Sequence, residues 1–319
     1  MRKTIQPWDP RGSDFSRQGW HAKPTAAFML MFEFLRLSPS YELARVHRTT
    51  GLSKEQKKTL PTDFKQVLAT YDRLGDVRTT LFRSWWLKRG LLAFGNPYSK
   101  PIVHKISSLR PNQDMTLSDV SNELNQFLND TRPEEGSIES LLVSIPIGGR
   151  RSDVLKQINK LLEQNPPSKN KLPESSPKQL KLMCKRFHAN VIFGGLRLLW
   201  IKAAKPKWEN WRLGAYTKLS PSYALELDYN GPKKTATEEE QVDRMIMGKI
   251  TSRALKRFEH MAENAARGRF PSDKPCECSP FDYVALANRI KQNLRWDKAE
   301  KERLTKLHQM NMKQLLTKN

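Results

Sequence analysis

The amino-acid sequence predicts a mainly α-helical protein with two helical domains and at most a small sheet near residues 141–147. Apolar residues recur at helical spacing in most segments, as Phe64, Val67 and Tyr71 do after Pro61. Only residues 141–147 form a short apolar run that is typical of a strand. A chain of 319 residues is long enough for two domains that each bury a core.

Changes in composition along the chain suggest where the domains begin and end. Residues 1–22 mix Pro and Gly with charges, and we expect an extended N-terminal arm. An N-terminal helical domain is predicted over residues 23–165. Residues 166–177 are rich in Pro, Ser, Lys and Asn and are predicted to be a linker. A basic helical domain is predicted over residues 178–319.

The charge balance is the strongest global signal for function. The chain has 56 Lys and Arg against 33 Asp and Glu, which gives a formal net charge of +23. Such an excess repels itself in a compact chain unless a polyanion relieves it. Phosphate backbones are the usual polyanion, so we expect a nucleic-acid partner, with DNA favoured over RNA. An acidic protein partner and an anionic membrane surface remain alternatives.

The cysteines and the apolar runs indicate the cellular compartment in which the protein is expected. Three cysteines cannot form a disulfide framework in a chain of this length, and a reducing cytoplasm fits them, with association with the nucleoid as a further possibility. The N-terminus has no apolar signal segment. The longest apolar run, residues 191–201, is interrupted by Gly and Arg, so no membrane partner is expected.

The strongest local candidate is the segment 245–270, which we predict to be a helix. On a helical wheel its apolar side chains gather on one side and its hydrogen-bond donors on the other. Such donors reach phosphates, and Asn and Arg also contact base edges. The alternative is an ordinary solvated helix face. We call the following residues the donor stripe: Arg253, Lys256, Arg257, His260, Asn264 and Arg267. Arg269 follows it and completes this predicted binding set.

Two other segments are weaker candidates for nucleic-acid contact. Residues 64–90 could form a helix-turn-helix, but Trp85 and Trp86 favour a buried helix pair. The turn at residues 148–152 could receive an anion at a helix N-terminus, with Arg150 and Arg151 as charge partners. Its spacing matches no phosphate-loop fingerprint, which favours a plain turn before a helix.

The residues predict neither a catalytic centre nor a metal site. Cys276 and Cys278 could begin a zinc site, but such a site needs further ligands. His260 is separated from them in sequence by a predicted loop, and a second cysteine pair does not occur. Cys184 and His188 are more typical of a structural pair than of a nucleophile and its base. We therefore expect no metal, no cofactor and no enzymatic activity.

Residues 32–41 carry a resemblance to a known family. Glu33, Phe34, Leu35, Arg36, Pro39 and Tyr41 match the N-terminal signature of the "transcriptional regulator-like" domain of proteobacterial proteins, many of them encoded on mobile elements. Phe32 and Ser38 depart from that signature, and the resemblance covers only about residues 8–48. It implies a bacterial protein in a regulatory or DNA-associated setting, and it brings no catalytic residues with it.

These observations favour a DNA-binding regulatory protein that contacts phosphates through the basic helix at residues 250–269. The alternative is an effector, toxin or accessory component of a bacterial phage-defence or mobile-element system. Such a component would bind RNA, single-stranded DNA or a partner protein, and its basic face would have the same sequence pattern.

Overall fold

The computed structural model describes residues 15, 18–95, 103–110, 116–134, 137, 139–166, 180–183, 186–220, 222, 227–232 and 237–316. Backbone contacts divide the chain into two compact units. Unit 1 combines Met1–Ala93 with Leu180–Asn319, and unit 2 is Phe94–Gln179. This division differs from the sequential one expected above, because the first and last parts of the chain pack together. The predicted linker at residues 166–177 lies, apart from Pro166, outside the described residues.

The described residues are mainly helical and contain no strand, which confirms the predicted mainly α fold. In unit 1 a short 3₁₀ helix, Trp20–Ala22, precedes the first α-helix. The α-helices up to the unit boundary are α1 Ala26–Leu37, α2 Pro39–Thr49, α3 Lys54–Lys58, α4 Phe64–Leu74, α5 Phe82–Trp85 and α6 Leu91–Phe94, with a π-helical turn at Trp86–Gly90.

Unit 2 contains further helices, and unit 1 then resumes. The helices of unit 2 are α7 Leu117–Gln126, a π-helical turn at Phe127–Thr131, α8 Arg132–Glu134 and α9 Arg151–Gln164. The later helices of unit 1 are α10 Ala189–Ala204, α11 Asn210–Thr217, α12 Glu238–Ala266 and α13 Tyr283–Leu316. In the part of the chain that the structure describes, none of these helices has an apolar run long enough to cross a bilayer.

Helix α1 lies at the centre of unit 1, and every one of its residues is buried. It contacts α10, α12 and α13, so it is covered by helices from the other end of the chain. The next helix begins at once, because the side chain of Ser38 accepts a hydrogen bond from the Tyr41 amide and Pro39 occupies the first turn. The sharp connection between α1 and α2 thus brings both helices against α12.

The residues that carry the family resemblance stabilise this core. Arg36 is buried and forms a two-pronged ion pair with Asp297 of α13, at 2.8 and 2.9 Å. It also donates to the carbonyl oxygens of Val77 and Thr80. Removing one member would leave a buried charge without its partner. The matching residues therefore have a role in folding that does not depend on any ligand.

The segment 64–90 forms a buried helix pair, as the two tryptophans indicated. Trp85 and Trp86 are almost fully buried. The indole nitrogen of Trp85 donates to the carbonyl oxygen of Leu74, at 2.7 Å. The α-helical turn Phe82–Trp85, the π-helical turn and α6 follow one another without a break and form the second helix of this pair. Its two tryptophans hold it in the core, which favours a buried helix pair over a recognition helix.

The best strand candidate, residues 141–147, does not form a strand. No partner strand exists in the described part of the chain, so its backbone groups have no ladder to join. Its apolar side chains, and several on the following helix α9, are exposed to solvent. The exposed apolar residues are Leu141, Leu142, Val143, Ile145, Ile147, Leu155, Leu161 and Leu162.

This exposed segment is expected to be the first described part of the chain that a protease cleaves. Arg150 and Arg151 are both exposed, whereas Arg36 and Arg267 in unit 1 are buried. Proteases act on segments that open at low free-energy cost, and an exposed helix of 14 residues is marginal alone. Brief trypsin treatment followed by mass spectrometry should detect cuts after Arg150 and Arg151 before cuts after Arg36 or Arg267. Protection of Arg150 and Arg151 would contradict this.

Candidate functional site

Helix α12 has one side in the core of unit 1 and one side that carries the donor stripe. Its N-terminal residue is preceded by Thr237, whose hydroxyl accepts a hydrogen bond from the Glu240 amide. Met247, Thr251 and Leu255 are buried on the core side. The opposite side is exposed in the first half of the helix and covered in the second half.

The first half of the donor side faces solvent. Lys249, Arg253 and Lys256 are exposed, and they are separated by four and three residues, so their side chains lie above one another. Arg257 follows on the edge of the same side, with its side chain about half exposed, and it pairs with the Asp273 carboxylate. This first half therefore presents a row of cations, which we call the cationic row: Lys249, Arg253, Lys256 and Arg257.

The second half of the donor side is covered by the chain itself. Residues 271–282, which we call the return loop, connect α12 to α13 and fold back over α12. The side-chain amide of Asn264 donates to the carbonyl oxygen of Lys274, at 2.8 Å. Arg267 donates to the carbonyl oxygen of Glu277, at 2.7 Å. Both Asn264 and Arg267 are buried, so these two members of the donor stripe are engaged within the protein.

Arg267 is the centre of a buried network of charges. Its guanidinium forms ion pairs with Asp63, at 2.7 Å, and with Glu263, at 3.1 Å. Burial opposes the charge of Arg267, but the hydrogen bond with Asp63 and the charge of Glu263 keep its pKa above the usual value. The same hydrogen bond lowers the pKa of Asp63. Both groups are therefore charged at neutral pH.

Glu263 connects this network to the start of α2. Its carboxylate is fully buried and accepts hydrogen bonds from the hydroxyl of Ser38, at 2.6 Å, and from the amide of Ser40, at 3.1 Å. The Ser40 hydroxyl donates to its other oxygen. Because each lone pair of the carboxylate has a partner, the buried charge is tolerated.

The return loop is also held from the side of α4. The Glu277 carboxylate accepts hydrogen bonds from the amide and the hydroxyl of Thr62, at 2.9 and 2.6 Å. The Ser279 hydroxyl donates to the carbonyl oxygen of Thr59, at 3.0 Å. The loop is therefore fixed on both sides of Cys278, to α12 and to the segment before α4.

The fold brings two thiols and an imidazole together at the point where the return loop crosses α12. Nδ1 of His260 lies 3.2 Å from Sγ of Cys278 and 3.7 Å from Sγ of Cys276. The two sulfur atoms are 3.8 Å apart. All three residues are partly buried. This proximity corrects the expectation that the loop would keep His260 away from the cysteines.

The two thiols of this cluster have different proton affinities. The hydrogen bond from Cys278 is the main cause that lowers the pKa of Cys276, and the His260 ring and Arg267 lower it further. The same interaction, together with burial, raises the pKa of Cys278. Cys276 is therefore the thiol of this pair that loses its proton more readily.

Three further residues of the predicted binding set do not belong to the cationic row. Arg269 is partly buried and contacts Asp63 and the side-chain oxygen of Gln66. Arg150 and Arg151 are exposed at the start of α9, in unit 2. The structure thus brings Arg253, Lys256 and Arg257 together at one exposed surface of unit 1, whereas Arg150 and Arg151 belong to unit 2.

No protein-family model, no curated protein and no solved structure matches this chain.

Sequence reasoning missed two features of the site. Lys249 is one turn before Arg253 on the same side of α12, and the helical spacing alone could have added it to the row. The Cys–His cluster joins residues 16 and 18 positions apart, across a helix end and a loop. Common zinc spacings place ligands in closely spaced pairs, so this arrangement needed the fold to be found.

Proposed function

We propose that the protein binds nucleic acid, with duplex DNA favoured, and that the cationic row of α12 contacts its phosphates. The observation that supports this most directly is the exposed alignment of Lys249, Arg253, Lys256 and Arg257 on one side of a helix anchored in the core. The net charge of +23 supplies the long-range attraction toward a polyanion. The resemblance of residues 32–41 to a DNA-associated family supports the same class.

The proposed contact is to the backbone and not to base edges. Lysine and arginine reach phosphates with long arms, and each neutralised phosphate releases a counterion. The residues best suited to base contact, Asn264 and Arg267, donate their hydrogen bonds to the return loop. Phosphate contacts position a protein on a duplex without carrying sequence information. The row is therefore expected to bind many sequences with similar affinity.

Replacing Lys249, Arg253 and Lys256 together by glutamate is expected to weaken binding to duplex DNA strongly. If each cation neutralises one phosphate, the negative slope of log K against log salt should become shallower by about 2–3. The three side chains are exposed, so the fold should remain. Fluorescence anisotropy with labelled duplex DNA, single-stranded DNA and structured RNA, each over a salt series, measures both the affinity and the slope.

Helix α13 offers a matched control with the same residue types and spacing. Lys291, Arg295 and Lys298 are exposed and follow one another at the same intervals of four and three residues. Each set has one acidic neighbour, because Lys298 lies 3.9 Å from Glu302 as Arg257 pairs with Asp273. The triple glutamate variant of this set changes the net charge equally, and it should retain most of the affinity and the slope.

The outcomes separate the interpretations. Equal losses in both triple variants would mean that net charge alone drives binding and that the cationic row is not the site. Tightest binding to RNA or single-stranded DNA would favour the alternative of an effector or accessory component. No salt-dependent binding to any of the three nucleic acids at micromolar protein would contradict the proposed function.

A further inference from the structure

Beyond nucleic-acid binding, we propose that Cys276, Cys278 and Nδ1 of His260 bind one Zn²⁺ ion, with a solvent molecule as the fourth ligand. Cysteine thiolates and a histidine nitrogen are the ligands that zinc prefers in proteins. Three such donors meet where the return loop crosses α12, and their donor atoms all lie within 4.8 Å of one another. The proposal concerns residues that the cationic row does not include.

The distances between the donor atoms fit a tetrahedral zinc ion. Zn–S bonds of ~2.3 Å and Zn–N bonds of ~2.05 Å at tetrahedral angles require ~3.8 Å between two sulfurs and ~3.6 Å between sulfur and nitrogen. The sulfur–sulfur distance is 3.8 Å, and the sulfur–nitrogen distances are 3.7 and 3.2 Å. One ion can therefore contact all three atoms after shifts of a few tenths of an ångström.

The return loop holds the donors in place through bonds that do not involve them. Asn264 and Arg267 fix the carbonyl oxygens of Lys274 and Glu277, which lie before and between the cysteines. Ser279, directly after Cys278, is fixed to the carbonyl oxygen of Thr59. Such outer contacts orient metal ligands and reduce the entropy lost when the ion binds. His260 is on α12, which is rigid at this point because its inner face is in the core.

The chemistry of the donors favours zinc over harder cations. Mg²⁺ and Ca²⁺ prefer carboxylate and carbonyl oxygens, whereas thiolates select softer ions such as zinc. Two thiolates also balance the charge of one Zn²⁺ ion, so the partly buried site gains no net charge. The ion would connect α12 directly to the return loop and stabilise the path of the chain toward α13.

Metal content and spectroscopy test this proposal directly. The full chain, purified under reducing conditions, is expected to retain one zinc per chain in elemental analysis. After exchange with Co²⁺, it should show a thiolate-to-cobalt charge-transfer band and the intense visible bands of a tetrahedral site. Neither measurement depends on nucleic-acid binding, so failure of the zinc site and failure of the proposed function are distinguishable.

Single substitutions assign the ligands. Cys276→Ser, Cys278→Ser and His260→Asn should each lower the zinc affinity by more than about 100-fold, which exceeds the usual effect of an outer contact. His188 is an exposed histidine outside the cluster, so His188→Asn should leave affinity and spectrum unchanged. Circular dichroism shows whether each variant is folded.

Three results would overturn the proposal. The first is a wild-type chain that retains no zinc and shows no cobalt–thiolate band under reducing conditions. The second is zinc binding that survives both cysteine substitutions, and the third is loss of the band in His188→Asn. Because the first result uses only the wild-type protein, a variant that fails to fold does not affect it.

Discussion

Replacing Glu263 by alanine is expected to destabilise the protein by about 3–5 kcal/mol, the range for breaking a buried ion pair by removing one partner. The side chains of Glu263 and Arg267 are both fully buried. The substitution leaves the guanidinium of Arg267 with Asp63 as its remaining carboxylate partner, and it removes the acceptor for the hydroxyls of Ser38 and Ser40. The denaturant concentration at the midpoint of unfolding, measured by circular dichroism, reports this loss of stability when the m value is unchanged.

An exposed ion pair in the same unit is the control for this prediction. Arg48 and Asp72 are joined by two hydrogen bonds, at 2.9 and 2.6 Å, but both side chains are nearly half exposed. Because exposed pairs contribute little to stability, Asp72→Ala should leave the midpoint almost unchanged. A similar small effect of Glu263→Ala would contradict the assignment of a buried network, and it would imply that water reaches Arg267.

The fold class was predictable because helical periodicity is a local property. The predicted helix at residues 245–270 corresponds to the larger part of α12, and the acidic residues after Thr237 begin that helix as their sequence indicates. The division of the chain into two units was harder to predict from the sequence. The contact of α1 with α12 and α13 joins segments more than 200 residues apart, as in the pairing of Arg36 with Asp297. Such pairings leave no trace in local periodicity.

The donor stripe illustrates what a helical wheel cannot decide. The wheel placed Arg253, Lys256, Asn264 and Arg267 on one side of the helix. It could not distinguish donors that face solvent from donors that meet another part of the chain. Asn264 and Arg267 bond to residues 10 positions further along, which required the return loop to fold back. Long polar side chains on an outer helix face are therefore equally suited to hold a loop or to contact a ligand.

The second large effect is expected at a glycine on α10. A Cβ atom added at Gly195 would lie 2.2 Å from ring carbons of Phe258 on α12. That ring is buried and is stacked near Phe34 of α1, with 6.5 Å between the ring centroids. Because the ring is packed among buried neighbours, either the ring or the two helices must shift to admit the added carbon. We expect Gly195→Ala to cost about 2–3 kcal/mol, which thermal or denaturant unfolding measures.

Gly194 is the control for this prediction, because it is adjacent to Gly195 in the same helix but faces another direction. A Cβ at Gly194 meets nothing within 4 Å, and the residue is also inside α10. Alanine there should stabilise the protein by roughly 0.5–1 kcal/mol through helix propensity alone. If the two adjacent substitutions change the free energy of unfolding in opposite directions, the difference indicates close packing at Gly195. If both variants were stabilised, α10 and α12 would not approach each other closely at Gly195, and the position of α12 that exposes its cationic row would need revision.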